Sequence, residues 1–201
     1  MRLLIAIALI FGLGAAPAQA TQLTFGLFLN GANEATPNAS AGFGNGWAFY
    51  DSDLHSLDLL ISFADLTGDT VAAHIHCCTT TSWTGTAMVA TELPSFSNLP
   101  LGVTDGTFSQ SYDLTNPASF NQAFITASGG LAAAETALVM GMESGQAYLN
   151  IHTTAYPGGE IRDFFHELIV DPVPEPASFA VLGTGLLLAG WSMRRKRRVN
   201  A

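Results

Sequence analysis

His55-Ser56-Leu57-Asp58-Leu59-Leu60-Ile61-Ser62-Phe63 is the stretch that decides the fold. Leu57, Leu59, Ile61 and Phe63 recur at every second residue, so an extended chain presents all four on one face. A helix would scatter them. Working outward, Gln22 to Leu29 and Gly46 to Asp51 read as earlier strands, separated by the turn-forming run Asn30 to Asn38. Leu66-Thr67-Gly68-Asp69 turns the chain into a further strand, Val71 to His76. Thr84 to Leu93 and Gly106 to Leu114 are expected to add two more. Gln146 to His152 and Glu160 to Val170 are expected to close the set as a hairpin over Tyr156-Pro157-Gly158-Gly159. The Ala-rich segment Pro117 to Glu143 predicts helix, with Asn116 as N-cap, Pro117 at the first position and Gly129-Gly130 dividing it in two. Short strands punctuated by turns predict an all-β, antiparallel β-sandwich or barrel with a short helical insertion.

Both ends carry addresses. Arg2, the apolar run Leu3 to Leu13 and Ala18-Gln19-Ala20 form a signal peptide over residues 1–20, with cleavage expected between Ala20 and Thr21. Near the other end, Pro174-Glu175-Pro176 precedes the apolar stretch 177–193 and the basic run Arg194-Arg195-Lys196-Arg197-Arg198. That stretch would form a helix of roughly 26 Å, enough for a thin hydrocarbon core. A transmembrane helix in the precursor follows, with the basic tail cytoplasmic and the domain on the far side of the membrane.

Trimming both segments leaves one domain, residues 21–171, of a length that supports a real core. Arg162 is its only Lys or Arg against fifteen acids, a net charge of −14 compared with −9 for the precursor. Phosphate contacts need Lys and Arg, so nucleic acid is excluded as a partner. The chain contains no Gly-x-Ser-x-Gly elbow, no His-Glu-x-x-His and no phosphate loop. Asp51 and Asp53 are expected to cap a turn or bind calcium loosely.

Three histidines carry the chemical question. His74 and His76 lie two apart on a strand and share a face, and His152 lies on another strand. Two readings stand side by side. The three imidazoles, with Glu160 as a fourth ligand or an orienting group, form a transition-metal site for copper or zinc. Alternatively they are framework residues held by hydrogen bonds inside the sandwich. His55 and His166 have no assigned place. Arg162 is expected in a structural ion pair, with Glu160 or Glu34 as its carboxylate. Cys77 and Cys78 are the only cysteines, and export favours their oxidation, so a vicinal disulfide between them is expected. An intermolecular bridge and reduced thiolates as soft metal ligands are the alternatives.

The tail from Val173 to about Arg198 resembles the PEP-CTERM sorting signal of Gram-negative bacteria: Pro-Glu-Pro, a short transmembrane helix and an Arg-rich end, in that order. The resemblance implies the secretion machinery and an exosortase as partners. It also implies transient anchoring in the inner membrane and delivery to the cell surface or extracellular matrix.

The set Leu29 to Pro37, Ser40-Ala41-Gly42, Ala73-His74-Ile75-His76, Tyr148 to Thr153 and Pro157-Gly158-Gly159-Glu160-Ile161-Arg162 resembles the CHRD domain, first described in chordin. The resemblance implies an immunoglobulin-like β-sandwich and a setting of protein binding. Cys77-Cys78 and Asp163 depart from the commoner pattern, which has small or polar residues and Gly there.

The expected function is a non-enzymatic binding or structural role at the surface or in the matrix, with an extracellular protein or polysaccharide as partner. The rival is a metal-dependent redox enzyme built on His74, His76 and His152. Their His-x-His pair is similar to that of copper-zinc superoxide dismutase, whose further His ligands have no counterpart here at recognisable spacing.

Overall fold

The alternation at Leu57, Leu59, Ile61 and Phe63 becomes the centre of an antiparallel sheet. These four side chains belong to a core that also takes Phe25, Leu27 and Leu29 from the first strand and Leu149 and Ile151 from a later one. The computed structural model describes residues 21–169. The signal peptide with its Ala20 boundary, the Pro174-Glu175-Pro176 motif and the expected transmembrane helix 177–193 lie outside the described residues.

In chain order the strands are β1 (Gln22–Asn30), β2 (Phe43–Asp51), β3 (Ser56–Ala64), β4 (Thr70–His76), β5 (Gly106–Asp113), β6 (Tyr148–Thr153), β7 (Ile161–Phe164) and β8 (His166–Glu167). Two helices, α1 (Gln122–Ser128) and α2 (Leu131–Glu143), lie between β5 and β6. Hydrogen bonding runs unbroken in the order β4-β6-β7-β1-β2-β3-β5, with β8 added on β1. The link between β7 and β1 is a single residue pair, Asn30 with Arg162. By contrast β1, β2, β3 and β5 pair along nearly their whole length. The sheet therefore has a four-strand part and a three-strand part, β4-β6-β7, joined by a thin seam.

The Ala-rich segment folds as its punctuation predicts. The Asn116 side chain caps a short 3-10 turn that starts at Pro117. Asn121 caps α1, and Gly129 ends it in the left-handed conformation, φ 92°. α2 buries Ala134, Leu138 and Met142 against the core.

Two expected strands are corrected. Residues 84–93 form no strand and make only one isolated bridge to β4, His76 with Val89. The free edge of β4 is instead satisfied irregularly: Ile75 N donates to Thr91 Oγ1 and Ala73 N to Ser95 Oγ, while the carbonyls of Ile75 and Ala73 accept from the backbone of Ala90 and Phe96. The segment after Glu160 breaks at Phe165, whose side chain is fully buried while its N–H donates to Ala147 O. Below the break β7 pairs with β6, and beyond it β8 crosses to β1.

Candidate metal centre

Register brings the three histidines together. In the β4–β6 ladder Ala72 lies opposite His152, His74 opposite Asn150 and His76 opposite Tyr148. His74, His76 and His152 therefore occupy one face, His152 diagonal to His74. Their ring centroids lie 5.9 Å (His74–His76), 5.4 Å (His74–His152) and 6.2 Å (His76–His152) apart.

Each ring is oriented by a backbone carbonyl. His74 Nε2 lies 2.7 Å from Pro94 O, His76 Nδ1 2.9 Å from Ala87 O, and His152 Nδ1 2.9 Å from Pro157 O. A carbonyl only accepts, so each of these ring nitrogens carries the hydrogen. That assignment leaves a lone pair on His74 Nδ1, His76 Nε2 and His152 Nε2. All three atoms are buried and have no hydrogen-bond partner. One ligand atom from each of the three residues lies within 4.8 Å of the others. Nitrogens bound tetrahedrally to one ion sit about 3.4 Å apart, so small ring rotations would close the set. Carbonyl-oriented imidazoles with converging lone pairs are the arrangement that fixes tautomer and basicity in histidine metal sites.

The electrostatics point the same way. Burial lowers the proton affinity of all three rings, most for His76, which falls to about 4 although the Ala87 carbonyl acts to raise it. All three are neutral near pH 7, the form that binds a metal. Asn150 lies opposite His74 in the ladder, and its Oδ1 is a further buried acceptor without a partner. Sequence reasoning missed Asn150 and Tyr148, although the alternation Tyr148, Asn150, His152 places them on this face. Tyr148 stacks on His76 at 4.8 Å and 4°.

Arg162 supports the stack from behind. Its guanidinium lies 4.7 Å from the Tyr148 ring centroid and 5.3 Å from that of Phe164. Its Nη1 donates to Gly85 O at 2.9 Å and its Nε to Asn33 O. Residues 85–94 thus form a strap whose carbonyls at Gly85, Ala87 and Pro94 hold Arg162, His76 and His74.

The expected ion pair between Arg162 and Glu160 is corrected, and so is the place of Glu160 at the histidines. The carboxylate nearest Arg162 is Glu34, at 3.9 Å. Glu160 is fully buried elsewhere, accepting from Ser40 Oγ, Thr67 N, Gly68 N and Thr153 Oγ1. Thr153 follows His152 on β6 and so points to the opposite face, which carries Glu160 away from the imidazoles.

The other candidates have local roles. Cys77 and Cys78 are bonded to each other across a cis peptide, packed so closely on α2 that a Cβ at Gly141 would collide with both sulfurs. His55 Nδ1 meets Glu135 at 2.9 Å, and Tyr50 donates to the same carboxylate. His166 stacks on Trp83 and lies 3.4 Å from Asp163. Asp51 caps the β2–β3 turn, accepting from Asp53 N and Leu54 N.

Comparison with known families gives two matches. The model of the CHRD domain matches residues 25–164, and that of the PEP-CTERM protein-sorting motif matches residues 172–198. No curated protein and no solved structure matches the chain. The sorting motif marks an exported chain that is anchored transiently in the membrane and processed by exosortase.

Proposed function

Because the chain belongs to the CHRD domain family, we propose that it is a surface or matrix protein whose CHRD domain is a non-enzymatic binding module holding one transition-metal ion, copper or zinc, between His74, His76 and His152. One observation carries this reading: three buried imidazole lone pairs converge with no partner while a carbonyl fixes the far side of each ring. Leaving three such acceptors unsatisfied costs about 1–3 kcal/mol each, which a bound cation would offset. The burial of the same nitrogens supports a held ion over the superoxide-dismutase-like redox alternative, which needs a coordination position open to substrate. The four-strand and three-strand parts, facing one core across a thin seam, support an immunoglobulin-like sandwich as the finer description of the fold.

The test is elemental analysis of the exported protein, purified without a His-tag. One tightly held transition metal per chain is expected, lost in His152→Ala while circular dichroism stays native. A folded wild-type protein that holds no metal after exposure to copper and zinc would make the three histidines framework residues.

A further inference from the structure

A second surface is built for a ligand of different chemistry. The face of β1, β2 and β3 turned away from the core carries Phe28, Phe43, Trp47, Phe49 and Leu60, which are 45–70 % exposed. Register sets them side by side: Phe28 lies opposite Asn45, and Trp47 opposite Leu60. Singly exposed apolar residues are ordinary, but several on one sheet face form a patch that marks an interaction site.

The groups between the rings are neutral hydrogen-bonding groups. Asn45 and Ser62 pair across β2 and β3, Ser109 continues the row beyond Leu60, and Ser62 shares a hydroxyl hydrogen bond with Thr107 at 3.1 Å. Carboxylates flank the face at both ends: Asp58 lies opposite Phe49 with Asp51 and Asp113 beyond it, and Asp65 and Asp105 lie just past the Phe43–Ala64 pair. The half of the face from Phe43 to Trp47 carries no charge. The domain's only cation, Arg162, is buried at 3 % exposure and cannot reach a lipid phosphate. An anionic membrane is therefore repelled by the domain charge of −14. A basic protein would find no acidic partner at the centre of the patch.

Aromatic rings interleaved with uncharged amides and hydroxyls complement one class of polymer. A neutral polysaccharide presents apolar C–H faces that lie on aromatic rings and hydroxyls that pair with Asn and Ser. We infer that this face binds a neutral polysaccharide, with Trp47 and Phe49 as the stacking platform and Asn45 and Ser62 as hydrogen-bonding partners. The inference names the partner of the binding module proposed above and does not use the metal site.

The experiment mixes the exported protein with microcrystalline cellulose, chitin and curdlan and measures the fraction left in solution. Retention on at least one of them is expected, reduced roughly tenfold in Trp47→Ala/Phe49→Ala, the loss of about two aromatic contacts. Met140→Ala, which changes an exposed apolar side chain on α2 outside this face, retains wild-type binding. Metal content is read on the same samples, so loss of polysaccharide binding and loss of metal are told apart. Three results would overturn the inference: no retention on any of the three polymers; retention unchanged in the folded double variant; or light scattering that shows a dimer dispersed by the double variant while no polymer is bound. Binding to phosphatidylethanolamine/phosphatidylglycerol vesicles in place of the polymers would count against it equally.

Discussion

Glu160 supplies the sharpest test of how the domain is held together. Its carboxylate ties the β1–β2 connection at Ser40, the β3–β4 turn at Thr67 and Gly68, and the end of β6 at Thr153. One oxygen takes Ser40 and Thr67 N, and the other takes Gly68 N and Thr153. In Glu160→Gln the amide NH2 must face one pair. The hydroxyl of that pair can rotate to accept, but the backbone N–H cannot. One buried donor is orphaned at about 1–3 kcal/mol, and the remaining bonds lose their charge assistance. The expected destabilisation at pH 7 is about 3 kcal/mol for Gln, and about 5 kcal/mol for Ala, which orphans both N–H groups. Burial acts to raise the Glu160 pKa, but the bonds from Ser40, Thr153, Thr67 and Gly68 together hold it below the ordinary carboxyl value of 4.5. A depressed folded pKa gives stability that is full above 4.5 and lost as pH falls through the folded value. The gap between wild type and Gln should therefore narrow at pH 3. Urea unfolding followed by circular dichroism at pH 7 and pH 3 measures both quantities. A Gln variant within about 0.5 kcal/mol of wild type at pH 7 would refute the reasoning, as would a gap that does not narrow in acid.

Two further outcomes follow from the charges around the strap. Burial raises Glu34 to about 7, and Arg162 at 3.9 Å does not reverse it; because that value exceeds the ordinary carboxyl value of 4.5, its stabilising effect is complete below 4.5 and is lost as pH rises through 7. Glu34→Gln should flatten this decline, worth on the order of 2 kcal/mol between pH 5 and pH 8, and a variant whose thermal midpoints keep the wild-type slope would contradict it. Protons and metal compete for the histidine lone pairs, and His76 takes a proton only at about 4. Zinc should thus remain bound on dialysis below the ordinary histidine value of 6.5, and release at or above that value, read by elemental analysis, would contradict the lowered proton affinities.

The strands were readable where burial is one-sided, since alternation at Leu57 to Phe63 is the pattern that a half-buried sheet imposes. The same alternation put the histidines on one face, and only the ladder register was needed to add His152. Residues 84–93 were misread because their composition fits a strand while the carbonyls of Gly85 and Ala87 are taken by Arg162 and His76 and those of Met88, Val89 and Ala90 by Cys77 and Asn121, and a carbonyl acceptor has no signature in a sequence. Glu160 was misplaced for a related reason. Closeness in the chain to Arg162 and His152 suggested contact, but its true partners at residues 40, 67 and 68 meet it only through the tertiary fold.

The strap has a consequence for how this centre tolerates change. The groups that set the tautomers of His74 and His76 are main-chain oxygens at Pro94 and Ala87. Every residue has such an oxygen, so replacing side chains along the strap leaves the orienting bonds available. Adding or deleting a single residue between Gly85 and Pro94 would shift the phase of the carbonyls and turn the rings out of alignment. The specification resides in loop length and path more than in residue identity, and the centre should withstand many substitutions there while failing at the first insertion.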